Sequence, residues 1–389
     1  MKRYLVSVAV ILLLILGSVA AFNFLIDPLL LFHHRDAGAE QLSRIDQFHN
    51  MRLYKPYHVN RLQPDAIIIG SSRTGTIRPN HPSWRGLTGY NFSVPGMTMY
   101  ELSRSVRHAH ANRPLRKLMI GLDYNTLVSP DPLYRPGFAP ARMARSPADF
   151  YSAAFNKQRI QDLQGTLFSF DMMGESLLAV TRTSPGIRRY YPDGAWRALS
   201  KQLTGRGGYT YVATNALTAR TGAAPDSSDN LLILRDLLEF CYRNNIEARL
   251  FFTPTHVFFV DLWFHLASRQ LWRSTHQNIV VMNTALAAQY GRSPFAIRGF
   301  GNEQQVVDEP LYRTRDIEKA WFNDGVHYRT RLAERIMAAL WDPDEDFGQS
   351  LDTANIGEYL DSVEALSRHF VESNKQLVDD LHKKIGLEL

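Results

Sequence analysis

The sequence predicts an α/β protein built on a parallel sheet, and three observations carry that reading. Short runs such as Ala66–Ile69 and Lys117–Leu122 have the near-continuous apolar character of strands buried on both faces. Helical patterns fall between the strand-like runs, in the β–α–β order that a parallel sheet with crossover helices requires. Gly70-Ser71-Ser72 follows the first run at once. A glycine turn there sets hydroxyls just past a strand's carboxyl end, on the rim where ligands of open α/β sheets bind. The expected body is a three-layer α/β/α sandwich interrupted by an irregular insertion.

At 389 residues, 45% hydrophobic and 21% charged, the chain is large enough for one big domain with insertions and apolar enough for a real core. Cys241 is the sole cysteine, which excludes an internal disulfide framework and a cysteine-rich metal site. It continues the spacing of Leu234 and Leu238 and reads as a buried helix residue. The net charge of +6 comes without a concentrated basic run or a recognition motif. Nucleic acid is therefore not an expected partner, and an anionic membrane or polysaccharide surface accounts for the excess equally well.

Residues 1–28 read as a membrane anchor. Met1-Lys2-Arg3 precedes an apolar run from Tyr4 to Ile26 broken only by Ser7, Gly17, Ser18 and Asn23. That is the length of a bilayer-spanning helix, about 20 residues, and exceeds the 7–15 of a signal-peptide core. Ser18-Val19-Ala20 offers a small-residue cleavage site, but the apolar run continues past it, which favours an uncleaved anchor. The leading basic residues put the N-terminus in the cytoplasm and the body outside, in the periplasm of a two-membrane bacterium. Asp27-Pro28 stops the helix. Residues 29–64 form a juxtamembrane linker with a helical approach carrying Arg52 and Lys55, residues expected to pair with carboxylates. The adjacent His33 and His34 diverge, and His108 and His110 fall on different helix faces, so neither pair predicts a metal site.

Residues 65–128 and 228–341 carry the α/β pattern. Ala66–Ile69, Tyr90–Val94 and Lys117–Leu122 are expected strands, and Met99–Ala111 a helix. After the break, Ser228–Asn244 is a helix with Leu231, Leu234, Leu238 and Cys241 on one face. Glu247–Thr253 is a strand running into Pro254-Thr255-His256. Helices are expected over Leu262–Trp272 and Asn283–Tyr290, a strand over Phe295–Ile297 and a final helix over Arg331–Trp341. Residues 129–227 form the insertion, punctuated by prolines at 130, 132, 136, 140 and 147 and by Gly205–Gly208 and Gly222–Pro225. It reads as a cap over the active face. Arg142, Arg145, Arg182, Arg188, Arg189 and Arg197, with Tyr190, Tyr191 and Trp196, are either a grip for an acidic or sugar ligand or a solvated surface over packed aromatics. Residues 342–389 read as an amphipathic helical tail, with Ile356, Tyr359, Leu360, Val363, Leu366 and Phe370 at helical spacing.

Two short segments carry the chemistry. Ser72 sits after the first strand. Far along the chain, Asp324-Gly325-Val326-His327 places a carboxylate three residues before an imidazole, in a segment leading into the last helix. A carboxylate so placed can hold one ring nitrogen while the other takes a proton from a serine. A strand–Gly-x-Ser block near the start and an Asp-x-x-His block near the end, in this order, resemble the SGNH (GDSL-like) hydrolase superfamily over roughly residues 60–130 and 230–341. The resemblance makes Ser72 the nucleophile rather than Ser71, with His327 and Asp324 completing the triad. Asn91-Phe92-Ser93-Val94-Pro95-Gly96 resembles the block whose glycine N–H helps form the oxyanion hole, which implies that role for Gly96 beside the N–H of Ser72. Leu118–Asn125 resembles the third block in part. Gly121 is followed two places on by Asp123, where the family has asparagine, and an ionised carboxylate cannot donate to an oxyanion. Asn125 or Arg73 is left as the third donor. Arg73, Asp123 and His256 are secondary substrate-contact candidates.

The anchor, Asn23, Asp27-Pro28 and the Arg52/Lys55 helix before Gly-Ser-Ser-Arg are similar to the membrane-anchored branch of that superfamily. Its members O-acetylate extracytoplasmic polysaccharides or transfer D-alanyl groups to teichoic acid, beside a multi-pass membrane-bound O-acyltransferase. The resemblance implies an inner-membrane-tethered O-acyl, foremost acetyl, transferase or esterase acting on an envelope or secreted glycan, with no cofactor and no metal. Two alternatives stay open: a free-standing envelope lipase or esterase for small esters, and a non-catalytic glycan-binding or assembly protein.

Overall fold

A computed structural model describes residues 1–32, 50–129, 133–181, 190–196, 213, 228–310 and 319–387. His33, His34, Arg182, Arg188, Arg189, Arg197, Pro130, Pro132 and the glycine clusters at 205–208 and 222–225 lie outside the described residues.

A six-stranded, mostly parallel sheet organises the body. Its strands are β1 (Ala66–Ile69), β2 (Gly89–Asn91), β3 (Lys117–Leu122), β4 (Glu247–Phe252), β5 (Ala296–Gly299) and β6 (Gln349–Ser350), in spatial order β2-β1-β3-β4-β5-β6. The first five run parallel and β6 is antiparallel to β5. Every residue of β1 is buried, which is why its sequence lacks alternation. The two faces bury into separate apolar clusters. Ile67, Ile69, Leu118, Ile120, Leu250 and Phe252 belong to one. Ala66, Ile68, Met119 and Phe251 belong to the other. The strand order reverses between β1 and β3, so their carboxyl ends diverge into a crevice, the usual ligand position in such sheets.

Helices connect the strands: α1 (Lys2–Ile26), α2 (Met51–Leu62), α3 (Met99–Asn112), α4 (Tyr124–Val128), α5 (Ala153–Leu167), α6 (Phe170–Thr181), α7 (Ser228–Arg243), α8 (Val257–Leu266), α9 (Arg269–Gln289), α10 (Gln304–Val307), α11 (Thr330–Trp341), α12 (Ile356–Ser373) and α13 (Lys375–Lys384). α3 starts on a capping box in which Thr98 accepts from the Glu101 N–H and Glu101 returns a carboxylate oxygen to the Thr98 N–H. Cys241 is buried in α7, as its spacing predicts.

One expectation is corrected here. The helix drawn over Leu262–Trp272 straddles a break. α8 ends at Leu266, and Ser268 opens α9 by accepting a hydrogen bond from the Leu271 N–H at 3.0 Å. α8 is apolar nearly all round, so periodicity could not mark its ends. The amphipathic tail docks on the body, and Gln349 and Ser350 extend the sheet. Helix α12 lies on α8 and α9: Arg273 bonds Asp361 and Glu364, and Ser367 Oγ donates to the Val257 carbonyl.

Four buried histidines donate to backbone carbonyls, all but His276 to segments distant in sequence. His58 Nε2 donates to the Leu29 carbonyl, His108 Nε2 to that of Pro56, His256 Nε2 to that of Glu309 and His276 Nδ1 to that of Trp272. In His108 and His256 the second nitrogen accepts a backbone N–H, from Ala144 and Phe258. A doubly protonated ring cannot accept. Burial accordingly pushes the pKa down to about 3 for His58 and about 4 for His108, His256 and His276. Each folded value lies below the unfolded one, near 6.5, so the unfolded chain binds more protons as pH falls from about 6.5 to 4. Stability should drop across that window by up to about 1.4 kcal/mol per pH unit for each histidine. Urea midpoints measured from pH 7.5 to 4.5 check this. A flat profile would contradict it.

Candidate active site

The site is assembled at the carboxyl end of β1. A side chain at Gly70 would lie 2.7 Å from Thr74 Oγ1, and one at Gly121 would lie 2.1 Å from Thr74 Cγ2. Only glycine at both positions lets Thr74 tuck between β1 and β3, where its hydroxyl contacts the Ser71 carbonyl and Ser93 Oγ. This tight turn holds Ser72 half-buried on the rim.

His327 arrives from the loop before α11. Its Nε2 lies 2.8 Å from Ser72 Oγ across a sequence separation of 255 residues. Its Nδ1 lies 2.6 Å from Asp324 Oδ2. Asp324 is fully buried, whereas the His327 side chain is 36% exposed, so the imidazole faces the open side. The loop itself is pinned. Phe322 pairs with Tyr328, and the Asn323 N–H donates to the His327 carbonyl. Both oxygens of buried Glu309 accept backbone N–H groups, from Trp321 and Phe322. Asp324 Oδ1 accepts from the Val326 and His327 N–H groups. Burial would raise the Asp324 pKa, but the charge of His327 and the hydrogen bonds from His327 and Val326 outweigh it and hold the carboxyl below its ordinary value. The carboxylate therefore stays ionised, keeps the proton on Nδ1 and leaves Nε2 free to accept from Ser72.

Gly96 stands exposed on a neighbouring turn. Pro95 and Gly96 are its central residues, the Met97 N–H donates to the Val94 carbonyl, and Gly96 has φ 60°, as a type II turn demands. Arg52 grips this turn from behind. Its Nη2 donates to the carbonyls of Pro95 at 3.0 Å and Gly96 at 3.2 Å, while it pairs with Glu101. In a trans peptide the N–H points opposite the carbonyl, so holding Pro95 C=O fixes the direction of the Gly96 N–H. Lys55 does comparable work just before the turn, at the end of β2. Its ammonium donates to the carbonyls of Asn91, Ser93 and Gly194 at 2.7–2.9 Å. Burial holds its pKa well below the ordinary lysine value, and Asp193 opposes that shift. The expectation that both cations pair with carboxylates is therefore met by Arg52 alone. Lys55 satisfies two carbonyls of the strand end and that of Gly194 instead.

The remaining candidates are redistributed. Asp123 is buried and faces inward, accepting from Ser71 Oγ and from Thr253 Oγ1 at 2.6 Å, with Arg73 Nε 3.7 Å away. Arg73 is also turned inward, donating to Thr255 Oγ1 at 2.7 Å and Thr253 Oγ1 at 3.3 Å. Both residues brace the Ser71–Ser72 turn from beneath and are buried away from the open rim. Of the two donors left open, only Asn125 is exposed, on the first turn of α4. His256 is buried; its backbone N–H donates to the Gly325 carbonyl and its ring to that of Glu309, so it supports the Asp324 loop instead of touching substrate. Arg142, a candidate ligand grip, is likewise an internal strut, bonded to Asp162 and to the carbonyls of Arg52 and Gly137. Tyr190 and Trp196 are buried. The positioning roles of Arg52, Lys55 and Glu309 carry no local motif, because each acts on backbone atoms far away in sequence.

Arg52→Gln should lower kcat by about 10²-fold, the lower end of what loss of an oxyanion donor costs, with little change in KM. Steady-state kinetics on a chromogenic ester measure both. An equal rise in KM would show that Arg52 serves binding instead.

Neither a scan against protein-family models nor a search of curated proteins finds a match for this chain.

Proposed function

We propose that this protein is a serine acyl-transfer enzyme of the SGNH hydrolase type, an α/β/α sandwich tethered to the inner membrane with its body in the periplasm. It moves an O-acyl, foremost acetyl, group to or from an envelope or secreted polysaccharide, with a multi-pass membrane-bound O-acyltransferase as the expected donor partner. The observation that carries the reading is the continuous hydrogen-bonded line Ser72–His327–Asp324. In the forward step His327 Nε2 takes the Ser72 proton as Oγ bonds the acyl carbonyl carbon. The N–H groups of Ser72 and Gly96 receive the oxyanion, and the protonated imidazole returns its proton to the departing oxygen. Water or a glycan hydroxyl then attacks the acyl-enzyme with His327 again as base. No cofactor is required.

The experiment is turnover of a chromogenic acetyl ester by the detergent-solubilised full chain, with and without added polysaccharide. A transferase releases chromophore slowly alone and faster when hydroxyl acceptors are present, with acetyl appearing on the glycan. Rapid release indifferent to glycan would identify a small-ester hydrolase.

Two features support a body seated on the bilayer. α1 is 25 residues long, with a mean hydropathy of 2.8 over its most apolar window, and is the one helix among the described residues long and apolar enough to span a membrane. The α5–α6 hairpin of the insertion packs on its far end. Asn23 is fully buried there; its amide donates to the carbonyls of Thr166, Leu167 and Ser169, and its oxygen accepts from Ser176. The Thr166 and Leu167 carbonyls end α5 and would otherwise lack partners in an apolar medium. Phe168, Phe170, Leu177 and Val180 remain exposed on the hairpin, as Phe24 and Leu25 do on α1. A spin label at Leu177→Cys, in nanodiscs, should be relaxed by oxygen and shielded from a water-soluble nickel complex. The reverse accessibility would place the hairpin in water.

A further inference from the structure

α8 and α13 approach each other with three potential ligands between them. Asp261 and His265 are four residues apart on α8, so they share a face one turn apart. His382 comes from the last turn of α13. Asp261 Oδ2 lies 3.6 Å from His265 Nε2 and 3.4 Å from His382 Nε2, and one ligand atom from each residue falls within 4.8 Å of the other two.

These groups are poorly satisfied by the protein alone. The His382 side chain is 2% exposed, and neither of its ring nitrogens has a hydrogen-bond partner, nor does Asp261 Oδ2. A buried polar atom left so is unfavourable by about 1–3 kcal/mol. The separations are too long for hydrogen bonds, yet they match another geometry. Ligands at about 2.0–2.1 Å around a tetrahedral zinc ion stand about 3.3–3.4 Å from one another. His265 is 38% exposed, so the fourth position opens toward solvent.

We propose that Asp261, His265 and His382 bind one divalent transition-metal ion, zinc foremost, through the carboxylate Oδ2 and the two Nε2 atoms. Two imidazoles and one carboxylate suit zinc, whereas magnesium and calcium prefer all-oxygen shells. The ion would clamp α13, almost the end of the chain, onto α8. His256, which braces the Asp324 loop, also caps the start of α8, so the clamp would tie α13 to the scaffold beneath Asp324. The inference is independent of the acyl-transfer reading, because its readouts are metal content and stability.

The test uses the detergent-solubilised full chain, stripped with a chelator and titrated with zinc by calorimetry, with cobalt as a spectroscopic substitute. One zinc per chain, a rise in Tm on binding and the intense visible bands of tetrahedral cobalt are the expected results. His265→Gln alters an exposed side chain, so it should fold with the melting temperature of stripped wild type. Its zinc affinity should fall by more than the about 10–100-fold typical of an outer-shell change. His382→Ala should abolish the cobalt bands. Absence of stoichiometric zinc in wild type, or zinc binding unchanged in both variants, would overturn the assignment.

Discussion

Ser72→Ala should reduce turnover by a factor of about 10⁴–10⁶ while leaving the protein folded. Ser72 Oγ makes its contact with His327 on the open rim, so truncation removes the attacking oxygen and exposes no buried partner. Labelling by a serine-directed fluorophosphonate should vanish with it. Ser71→Ala is the informative neighbour. Ser71 donates to Asp123 and accepts from the Arg73 N–H, so its loss leaves a buried carboxylate short of a donor. That variant should lose about 1–3 kcal/mol of stability yet retain fluorophosphonate labelling. If Ser72→Ala kept wild-type glycan acylation, the body would be a non-catalytic scaffold.

The contrast between the two serines shows what the sequence could and could not convey. β1, β3, β4 and α11 were legible because burial on both faces, or on one helical face, leaves an apolar signature in consecutive residues. The meeting of Ser72, His327 and Asp324 in space was expected because a strand-end glycine turn and a carboxylate three before an imidazole are local patterns. β6 was not, since two residues held by an antiparallel edge have no periodicity to read. Asp123 was visible as a departure from the family asparagine, but not its fate. Only the fold shows Arg73 and two hydroxyls converging on it beneath the turn. Lys55, and Arg52 in its hold on the 95–96 turn, illustrate the same limit: those partners are carbonyl oxygens, which every residue has, so no side-chain pattern could name them. The proposed metal trio has no local pattern, since Asp261-x-x-x-His265 completes its set only through His382, 117 positions later.

Asp324→Asn should lower kcat by about 10⁴-fold at neutral pH with the fold intact. The direction follows from the hydrogen bonds the carboxylate makes. Oδ1 accepts two backbone N–H groups, from Val326 and His327, and an amide can meet both only by keeping its oxygen there. Its NH₂ must then face His327 Nδ1, where Oδ2 now sits at 2.6 Å. A donor at that place makes Nδ1 an acceptor and moves the ring proton to Nε2. Nε2 then presents a hydrogen to Ser72 Oγ where it needs a lone pair, so the base is disabled by tautomer and not by distance. The variant also removes the charge that would stabilise the imidazolium during attack. Initial rates on an acetyl ester and the rate of fluorophosphonate labelling should fall together, with near-native Tm, since both depend on the same proton transfer. A loss smaller than about tenfold would mean that His327 is oriented by something other than Asp324. Loss confined to ester turnover, with labelling unchanged, would instead move Asp324's contribution to the second half of the reaction, where the acyl-enzyme meets its acceptor.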